Sequence, residues 1–149
     1  MVTISCDHVA RFKRIIMTIN VTWQGDCRFN AVTDAGFEVF IDADSKSAPC
    51  PTEILLSALG SCSATDVALY FKDNNIELKS LHNRLTYQLT ESEPRLYKSV
   101  NLHFTIEAKE LIESQVNKAI EKAINKYCHV CLMLQPTISI SYSVEIINS

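Results

Sequence analysis

The chain has 149 residues, of which 47% are hydrophobic and 21% charged, a composition typical of a single soluble globular domain. Its formal net charge is −3, which excludes a strongly basic nucleic-acid binder. The apolar run Ile15–Met17 ends at Thr18, and it is too short for a membrane span or a secretory signal. We therefore expect a cytoplasmic protein without membrane or nucleic-acid partners. Its six cysteines are expected to stay reduced in that compartment.

The first half of the chain predicts three strands and a central helix. After an irregular segment at 1–14, apolar and polar residues alternate at 15–23, which predicts a strand with one buried face. Turns at 24–26 and 34–36 separate it from strands at 27–33 and 37–41. A helix is predicted from Pro51 to about Asp73, because proline suits the first helical position and Glu53 places a carboxylate in the first turn. Apolar residues on nearly every side predict that this helix is buried.

The second half predicts two strands, a helix and a final strand. Alternating residues at 85–89 and 100–106 flank a turn at 91–94. From about Glu110, apolar residues three and four apart predict an amphipathic helix that reaches Tyr127, and Pro136 ends any helical structure that continues to Leu134. Residues 138–146 alternate regularly, as in a strand. The order β-β-β-α-β-β-α-β predicts an α+β fold in one domain that spans 1–149.

Cysteines supply the candidates for chemistry. Cys62 lies on the central helix, where a small buried packing residue would explain it equally well. Cys128 and Cys131 form a Cys-x-x-Cys pair, a spacing that suits redox or zinc chemistry. Zinc would need further ligands from scattered histidines. A thioredoxin-like use is disfavoured because the pair follows a helix instead of a strand. Cys50 takes the N-cap position of the central helix, where Ser, Thr, Asp or Asn is usual.

The residues around two of these cysteines resemble the paired signatures of the OsmC/Ohr family. The first signature is Pro51-Thr52-Glu53-Ile54-Leu55-Leu56-x-Ala58-Leu59-Gly60-x-Cys62, and the second is Lys126-Tyr127-Cys128-x-Val130. The segment Val21-Thr22-Trp23-x-Gly25 with Arg28-Phe29, and the strand that ends at Ile146, fit as well. The resemblance covers residues 17–147 and is greatest to the OsmC-like branch.

The resemblance implies a thiol peroxidase that reduces organic hydroperoxides in oxidative stress defence, without a cofactor or metal. Cys62 matches the cysteine that attacks the peroxide and becomes a sulfenic acid. Cys128 matches the resolving cysteine, which closes a disulfide that an external dithiol reductant then opens. The family fold implies an intertwined homodimer, in which antiparallel sheets wrap two central helices and the active sites lie at the dimer interface.

Four more residues bear on this assignment. The attacking Cys62 must be a thiolate, but it lies too far along its helix for the macrodipole alone to lower its pKa. The resemblance makes Arg28 the candidate cation, and Glu53 matches a glutamate that orients this arginine, although a carboxylate there also stabilises a helix start. Asp66, one turn beyond Cys62 on the same side, would raise the thiol pKa unless it is paired. Cys131 is a second candidate for the resolving thiol.

Two alternatives stay open at this point. The chain could be a non-enzymatic binding module for a small apolar ligand, with cysteines that only pack. It could also hold zinc through Cys128 and Cys131.

Overall fold

A computed structural model describes residues 17–149, so the predicted irregular segment at 1–14 and the start of the first predicted strand lie outside the described residues. The chain divides into two compact units, one that ends at Ile54 and one that comprises Leu55–Ser149. Helix α1, Pro51–Asp73, crosses this boundary and begins and ends where the sequence predicts. Strands in two separate sheets together with helices confirm the α+β class.

The amino-terminal unit contains a three-stranded antiparallel sheet. Its strands are β1, Ile19–Trp23, β2, Arg28–Thr33, and β3, Glu38–Asp42, and they pair in the order β1-β2-β3. The turns use Gly25 at φ +96° and Gly36 at φ +83°, values that glycine adopts without a steric penalty. The predicted meander is therefore confirmed.

The buried face predicted for β1 is not found in the described chain. Ile19, Val21 and Trp23 are 66%, 60% and 65% exposed, although they alternate as predicted. The described part of this unit consists of three strands and the first turn of α1, so it has no helix long enough to cover the sheet. The alternation therefore marks an apolar face that is left at the surface.

The carboxy-terminal unit contains the second sheet, in the order β4-β5-β6. Its strands are β4, Leu78–Leu89, β5, Tyr97–Ala108, and β6, Ser139–Asn148. β4 and β5 pair antiparallel, whereas β5 and β6 pair parallel. The antiparallel sheets implied by the resemblance are thus corrected for this pair, because the helical segments between β5 and β6 return the chain to the end of the sheet where β5 begins.

Three helical segments connect β5 to β6, where the sequence predicts one continuous helix. Helix α2 spans Glu113–Lys122, a π-helical turn spans Ala123–Tyr127, and helix α3 spans His129–Leu134. The helix breaks at Cys128, whose backbone is extended at φ −66° and ψ 105°. This break starts a new helix at the Cys-x-x-Cys pair, and that helix ends before Pro136 as predicted.

The core of this unit lies on one face of the β4-β5-β6 sheet. Alternate residues of β5, from Val100 to Ala108, are at most 1% exposed and pack with buried residues of α1 and α2. Full burial of one such side chain is worth about 1.5–3 kcal/mol. The opposite face is polar, and side chains of β5 and β6 pair across it: Asn101 with Ser141, and His103 with Ser143.

Within the described single chain, helix α1 fully buries residues on one side only, whereas the sequence predicts burial on nearly every side. Its buried residues form a stripe of six: Leu56, Leu59, Gly60, Ser63, Val67 and Phe71. Cys62 and Asp66 lie beside this stripe and are half-buried, and Ser61 and Thr65 are exposed. By length and composition alone α1 could cross a membrane, with 33% of its most apolar stretch buried; core helices of soluble proteins meet the same criterion.

Candidate functional site

Two cysteines that are remote in sequence meet in the carboxy-terminal unit. The sulfurs of Cys62 and Cys128 and a carboxylate oxygen of Asp66 all lie within 4.8 Å of one another. Cys128 is 0% exposed, while Cys62 and Asp66 are half-buried. The structure thus brings together the two thiols that the sequence analysis paired, and it adds a carboxyl group.

Contacts between α1 and β4 hold the Cys62 turn in place. The Asn83 side-chain amide on β4 donates to the carbonyl oxygen of Gly60 at 3.0 Å and to the hydroxyl of Ser63 at 3.2 Å. A Cβ on Gly60 would lie 2.8 Å from a methyl group of Leu85, so only glycine lets the helix approach this strand without displacing that side chain. Cys62 lies between Gly60 and Ser63 on the helix, so these contacts fix the turn of α1 that carries it.

The break before α3 places Cys128 at the N-cap of that helix. Its sulfur accepts the backbone N–H of Cys131 at 3.4 Å, as the side-chain oxygen of a serine or threonine cap does. Cys131 is also 0% exposed. The backbone N–H of Val130, one residue before Cys131, is close enough to the sulfur of Cys62 to lower the pKa of that thiol. The first turn of α3 therefore contacts the thiols of both signatures.

Burial and neighbouring groups keep these thiols protonated. Burial raises the pKa of Cys62, the hydrogen bond to Cys128 and the negative charge of Asp66 raise it further, and the N–H of Val130 opposes them. A hydrogen bond to Cys131, and then burial, raise the pKa of Cys128. The predicted effect of Asp66 on the thiol is confirmed in direction. A reactive Cys62 thiolate consequently needs additional positive charge or a proton acceptor.

Asp66 is itself shifted toward its protonated form. Burial raises the pKa of its carboxyl, and the charge of His129 opposes that shift. A raised pKa makes a carboxylate a stronger base, and a carboxyl group of this kind is suited to accept and return a proton. His129, which is exposed on α3, thus offsets the raised pKa of Asp66 only in part, and the described residues form no ion pair with Asp66 at the distances of a salt bridge.

Arg28 and Glu53 belong to the amino-terminal unit. A guanidinium nitrogen of Arg28 lies 3.4 Å from a carboxylate oxygen of Asp26, and both side chains are largely exposed. Glu53 accepts the backbone N–H of Cys50 at 2.9 Å and the hydroxyl of Ser45 at 3.4 Å. This is the glutamate half of a capping box, so the interpretation of Glu53 as stabilising the helix start is confirmed. The catalytic roles of both residues stay predictions.

Cys50 has a pKa that shifts in the opposite direction. A hydrogen bond between the Cys50 sulfur and the Thr52 hydroxyl, and then the backbone N–H of Glu53, lower the pKa of the Cys50 thiol. Both groups belong to the first turn of α1, where unpaired N–H groups favour negative charge. The predicted N-cap placement of Cys50 is confirmed by the hydrogen bond from the Ile54 N–H to its carbonyl oxygen.

The residues that could hold a metal ion differ from the ligands that the sequence suggested, which were Cys128, Cys131 and histidines. Two sulfurs and one carboxylate oxygen, from Cys62, Cys128 and Asp66, lie close enough together to share an ion, and this donor set suits a soft divalent metal such as zinc. Cys131 is not a member of that group. The zinc alternative is therefore centred on Cys62 and Cys128.

Sequence reasoning missed Asn83 and the Val130 N–H. The signal for Asn83 was present, because it stands between Leu81 and Leu85 at an inward position of an alternating strand. A polar residue at such a position needs a partner, which here is α1. The Val130 contact depends on the helix break at Cys128 and has no comparable signal in the sequence.

Comparisons with known proteins agree with this fold. Residues 43–143 match the family model described as OsmC-like protein. Protein YhfA of Escherichia coli strain K12 is 32% identical over 132 residues, which is 88% of this chain and 98% of the relative.

Solved structures of other proteins have the same fold. An OsmC-like protein from Mycoplasma pneumoniae has a TM-score of 0.78 at 19% identity, covering 91% of this chain and 100% of that one. The organic hydroperoxide resistance protein OhrB of Bacillus subtilis has a TM-score of 0.59 at 16% identity, covering 86% and 98%. At these identities the two structures support the fold alone.

Proposed function

Since this chain belongs to the OsmC-like protein family, we propose that it is a thiol-dependent peroxidase that reduces organic hydroperoxides, with Cys62 as the attacking and Cys128 as the resolving cysteine. The observation that carries the proposal is the meeting of these two sulfurs and the Asp66 carboxyl within 4.8 Å. A disulfide needs about 2 Å between the two sulfurs. Rotation of the two cysteine side chains is the movement that would close the remaining distance. Proteins named for hydroperoxide resistance share the fold.

In the proposed reaction, the Cys62 thiolate attacks one oxygen of the peroxide and the O–O bond breaks. The other oxygen leaves as an alkoxide, which takes a proton to become the alcohol, and Cys62 becomes a sulfenic acid. The Cys128 sulfur then attacks the sulfur of Cys62 and expels water, which closes the disulfide. An external dithiol reduces this bond and returns both thiols.

Asp66 is suited to move the protons of this reaction. Its carboxyl lies beside the Cys62 sulfur, close enough to exchange a proton through one water molecule. Ionised Asp66 accepts the proton of the Cys62 thiol, and protonated Asp66 then supplies it to the departing alkoxide. In this role the carboxylate that raises the pKa of the thiol also acts as its general base and then as the general acid. The charge of His129 limits the rise in the pKa of the Asp66 carboxyl.

The positive charge that stabilises the thiolate is assigned to Arg28 by the resemblance. In its own unit Arg28 pairs with Asp26, a solvent-exposed ion pair of the kind that contributes little stability. That weak pairing leaves the guanidinium available to a stronger partner. The assignment predicts that Arg28→Ala slows the reaction of Cys62 with peroxide more than Arg28→Lys does.

We also propose a cytoplasmic homodimer. The apolar residues of β1 are exposed in the single chain, and α1 buries only one of its sides. Exposed apolar surface on this scale marks an interaction site, and a second copy of the chain is the partner that the family fold supplies. A measured mass of one chain at micromolar concentration would contradict this.

Steady-state turnover tests the peroxidase proposal. Purified protein is mixed with cumene hydroperoxide and dithiothreitol, and cumyl alcohol is quantified. We expect turnover by the wild type and by the matched control Cys27→Ser, and none above background by Cys62→Ser. Equal turnover by Cys62→Ser would remove the assigned nucleophile.

Two other functions give different results on the same sample. If the cluster of Cys62, Asp66 and Cys128 holds zinc, the purified protein contains about one equivalent of metal, which Asp66→Asn reduces. If the chain is a binding module for a small apolar ligand, it contains no metal and yields no alcohol from the peroxide.

A further inference from the structure

We propose that Cys131 is a third redox-active thiol, which attacks the Cys62–Cys128 disulfide and moves it to the Cys128–Cys131 pair. The inference rests on the proposed peroxidase function and adds a catalytic residue to it. In this proposal Cys128 is the resolving cysteine, and Cys131 acts in a later step, after the Cys62–Cys128 disulfide has formed.

The three sulfurs are arranged with Cys128 in the middle. On one side the Cys128 sulfur lies within 4.8 Å of the Cys62 sulfur, close enough for Cys128 to raise the pKa of the Cys62 thiol. On the other side the backbone N–H of Cys131 donates to the Cys128 sulfur, with 3.4 Å between nitrogen and sulfur, and the Cys131 thiol is close enough to raise the pKa of Cys128. Cys62 and Cys131 are thus alternative neighbours of one central sulfur.

Thiol–disulfide exchange requires that the sulfur under attack has both the attacking and the leaving sulfur as neighbours. The attacking sulfur approaches the central sulfur while the leaving sulfur departs from it, so a residue can transfer a disulfide only if it reaches the shared cysteine. Cys128 is the N-cap of α3 and Cys131 is its third residue, one turn apart on the same helix. The central sulfur therefore exchanges one partner for the other without a change in the backbone of α1.

The exchange step consumes no oxidant or reductant. The Cys131 thiolate forms a bond to the Cys128 sulfur, and the bond between Cys128 and Cys62 breaks. Cys62 leaves as a thiolate and takes up the proton that Cys131 lost. The N–H of Val130 opposes the rise in the pKa of the Cys62 thiol that burial causes, and this opposing effect assists the departure of Cys62 because a leaving thiol of lower pKa departs faster.

The Cys128–Cys131 disulfide is less exposed to solvent than the Cys62–Cys128 disulfide from which it forms. Cys128 and Cys131 are both 0% exposed, so their disulfide is shielded from an external dithiol. Cys62 is half-buried, so reduction proceeds when exchange runs backward and presents the sulfur of Cys62. Between these events Cys62 is a free thiol, and the protein can accept a second equivalent of peroxide.

A quenched time course tests the exchange. Reduced protein receives one equivalent of cumene hydroperoxide, is alkylated with N-ethylmaleimide at intervals and is digested with trypsin. Cleavage after Lys126 leaves Cys128 and Cys131 on one peptide, because no lysine or arginine follows. We expect the cross-link to the Cys62 peptide to appear first. It should then decline while an internal disulfide forms in the peptide of residues 127–149 and Cys62 takes the label.

Matched variants isolate Cys131. Cys131→Ala should keep the Cys62–Cys128 cross-link throughout, whereas Cys27→Ser should behave as the wild type does. Circular dichroism confirms that each variant is folded, and the wild-type time course alone decides the matter if Cys131→Ala is not. A wild-type cross-link at Cys62 that persists for as long as it does in Cys131→Ala would overturn the proposal.

A second oxidant separates this inference from the proposed function. Diamide oxidises thiols to disulfides without any peroxidase activity. If diamide produces the transfer and the hydroperoxide produces no disulfide, the exchange stands and the peroxidase function fails. If the hydroperoxide produces a Cys62–Cys128 disulfide that never moves, the exchange fails and the peroxidase function stands.

Discussion

Replacing Glu53 by Ala and by Gln separates its structural role from the catalytic role that the resemblance assigns. Its carboxylate accepts the N–H of Cys50 at 2.9 Å and lies in the first turn of α1. Alanine removes this hydrogen bond, the longer one from the Ser45 hydroxyl and the charge. Glutamine keeps an acceptor oxygen for the N–H of the N-cap residue and removes only the charge.

The magnitudes follow from these two contributions. The exposed hydrogen bond is worth about 0.5–1.5 kcal/mol, and a carboxylate at the helix start is worth about 0.3–1 kcal/mol. Glu53→Ala should therefore lower the free energy of unfolding by about 1–2 kcal/mol, and Glu53→Gln by less than about 1 kcal/mol. The Cys50 N–H holds the pKa of Glu53 below its ordinary value of 4.5, so the carboxylate's contribution is present above that pH and is lost as the pH falls.

Urea unfolding followed by circular dichroism measures these differences. With a slope of about 2 kcal/mol per molar urea, the midpoint should fall by about 0.5–1 M for Glu53→Ala and by less for Glu53→Gln. Peroxidase turnover of the folded Glu53→Gln protein should stay within about twofold of the wild type. If both variants unfold like the wild type but lose turnover, Glu53 orients a catalytic group and the capping account is refuted.

Three further changes probe the thiol cluster. Cys128→Ser should leave the Cys62 sulfenic acid unresolved, so that excess peroxide adds about 32 mass units as a sulfinic acid; a variant that still loses about 2 mass units would contradict this. Asp66→Asn should shift the pH profile of Cys62 alkylation to lower pH, since a negative charge that raises the thiol pKa is removed, and should slow alcohol formation from cumene hydroperoxide; an unchanged profile would show that the charge does not act on the thiol. Asn83→Ala should lower the free energy of unfolding, measured by urea titration, by about 1–3 kcal/mol, because it removes two hydrogen bonds to α1; an unchanged midpoint would show that this contact is not stabilising.

Local patterns were sufficient to predict most of the elements. Alternation located the strands, and proline with a first-turn carboxylate located the start of α1 at Pro51. The break at Cys128 was not predicted, because the apolar spacing of α2 continues into the π-helical turn. Tertiary packing of that turn, which no local pattern reports, starts α3 at the Cys-x-x-Cys pair.

The expected burial was less accurate, for a physical reason. Apolar alternation in β1 and apolar residues around α1 show which surfaces avoid water, but they do not show whether the same chain covers them. In the described chain these surfaces stay largely exposed. The pairing of Cys62 with Cys128 came from the resemblance, whereas Asp66 was found from helical spacing alone.

A single-turnover experiment on the reduced protein tests the central claim most directly. After one equivalent of cumene hydroperoxide, we expect one equivalent of cumyl alcohol and a loss of about 2 mass units, with Cys128 in the first disulfide formed and Cys62 as its partner. An unchanged mass, or a disulfide that forms first between cysteines other than these two, would contradict the account.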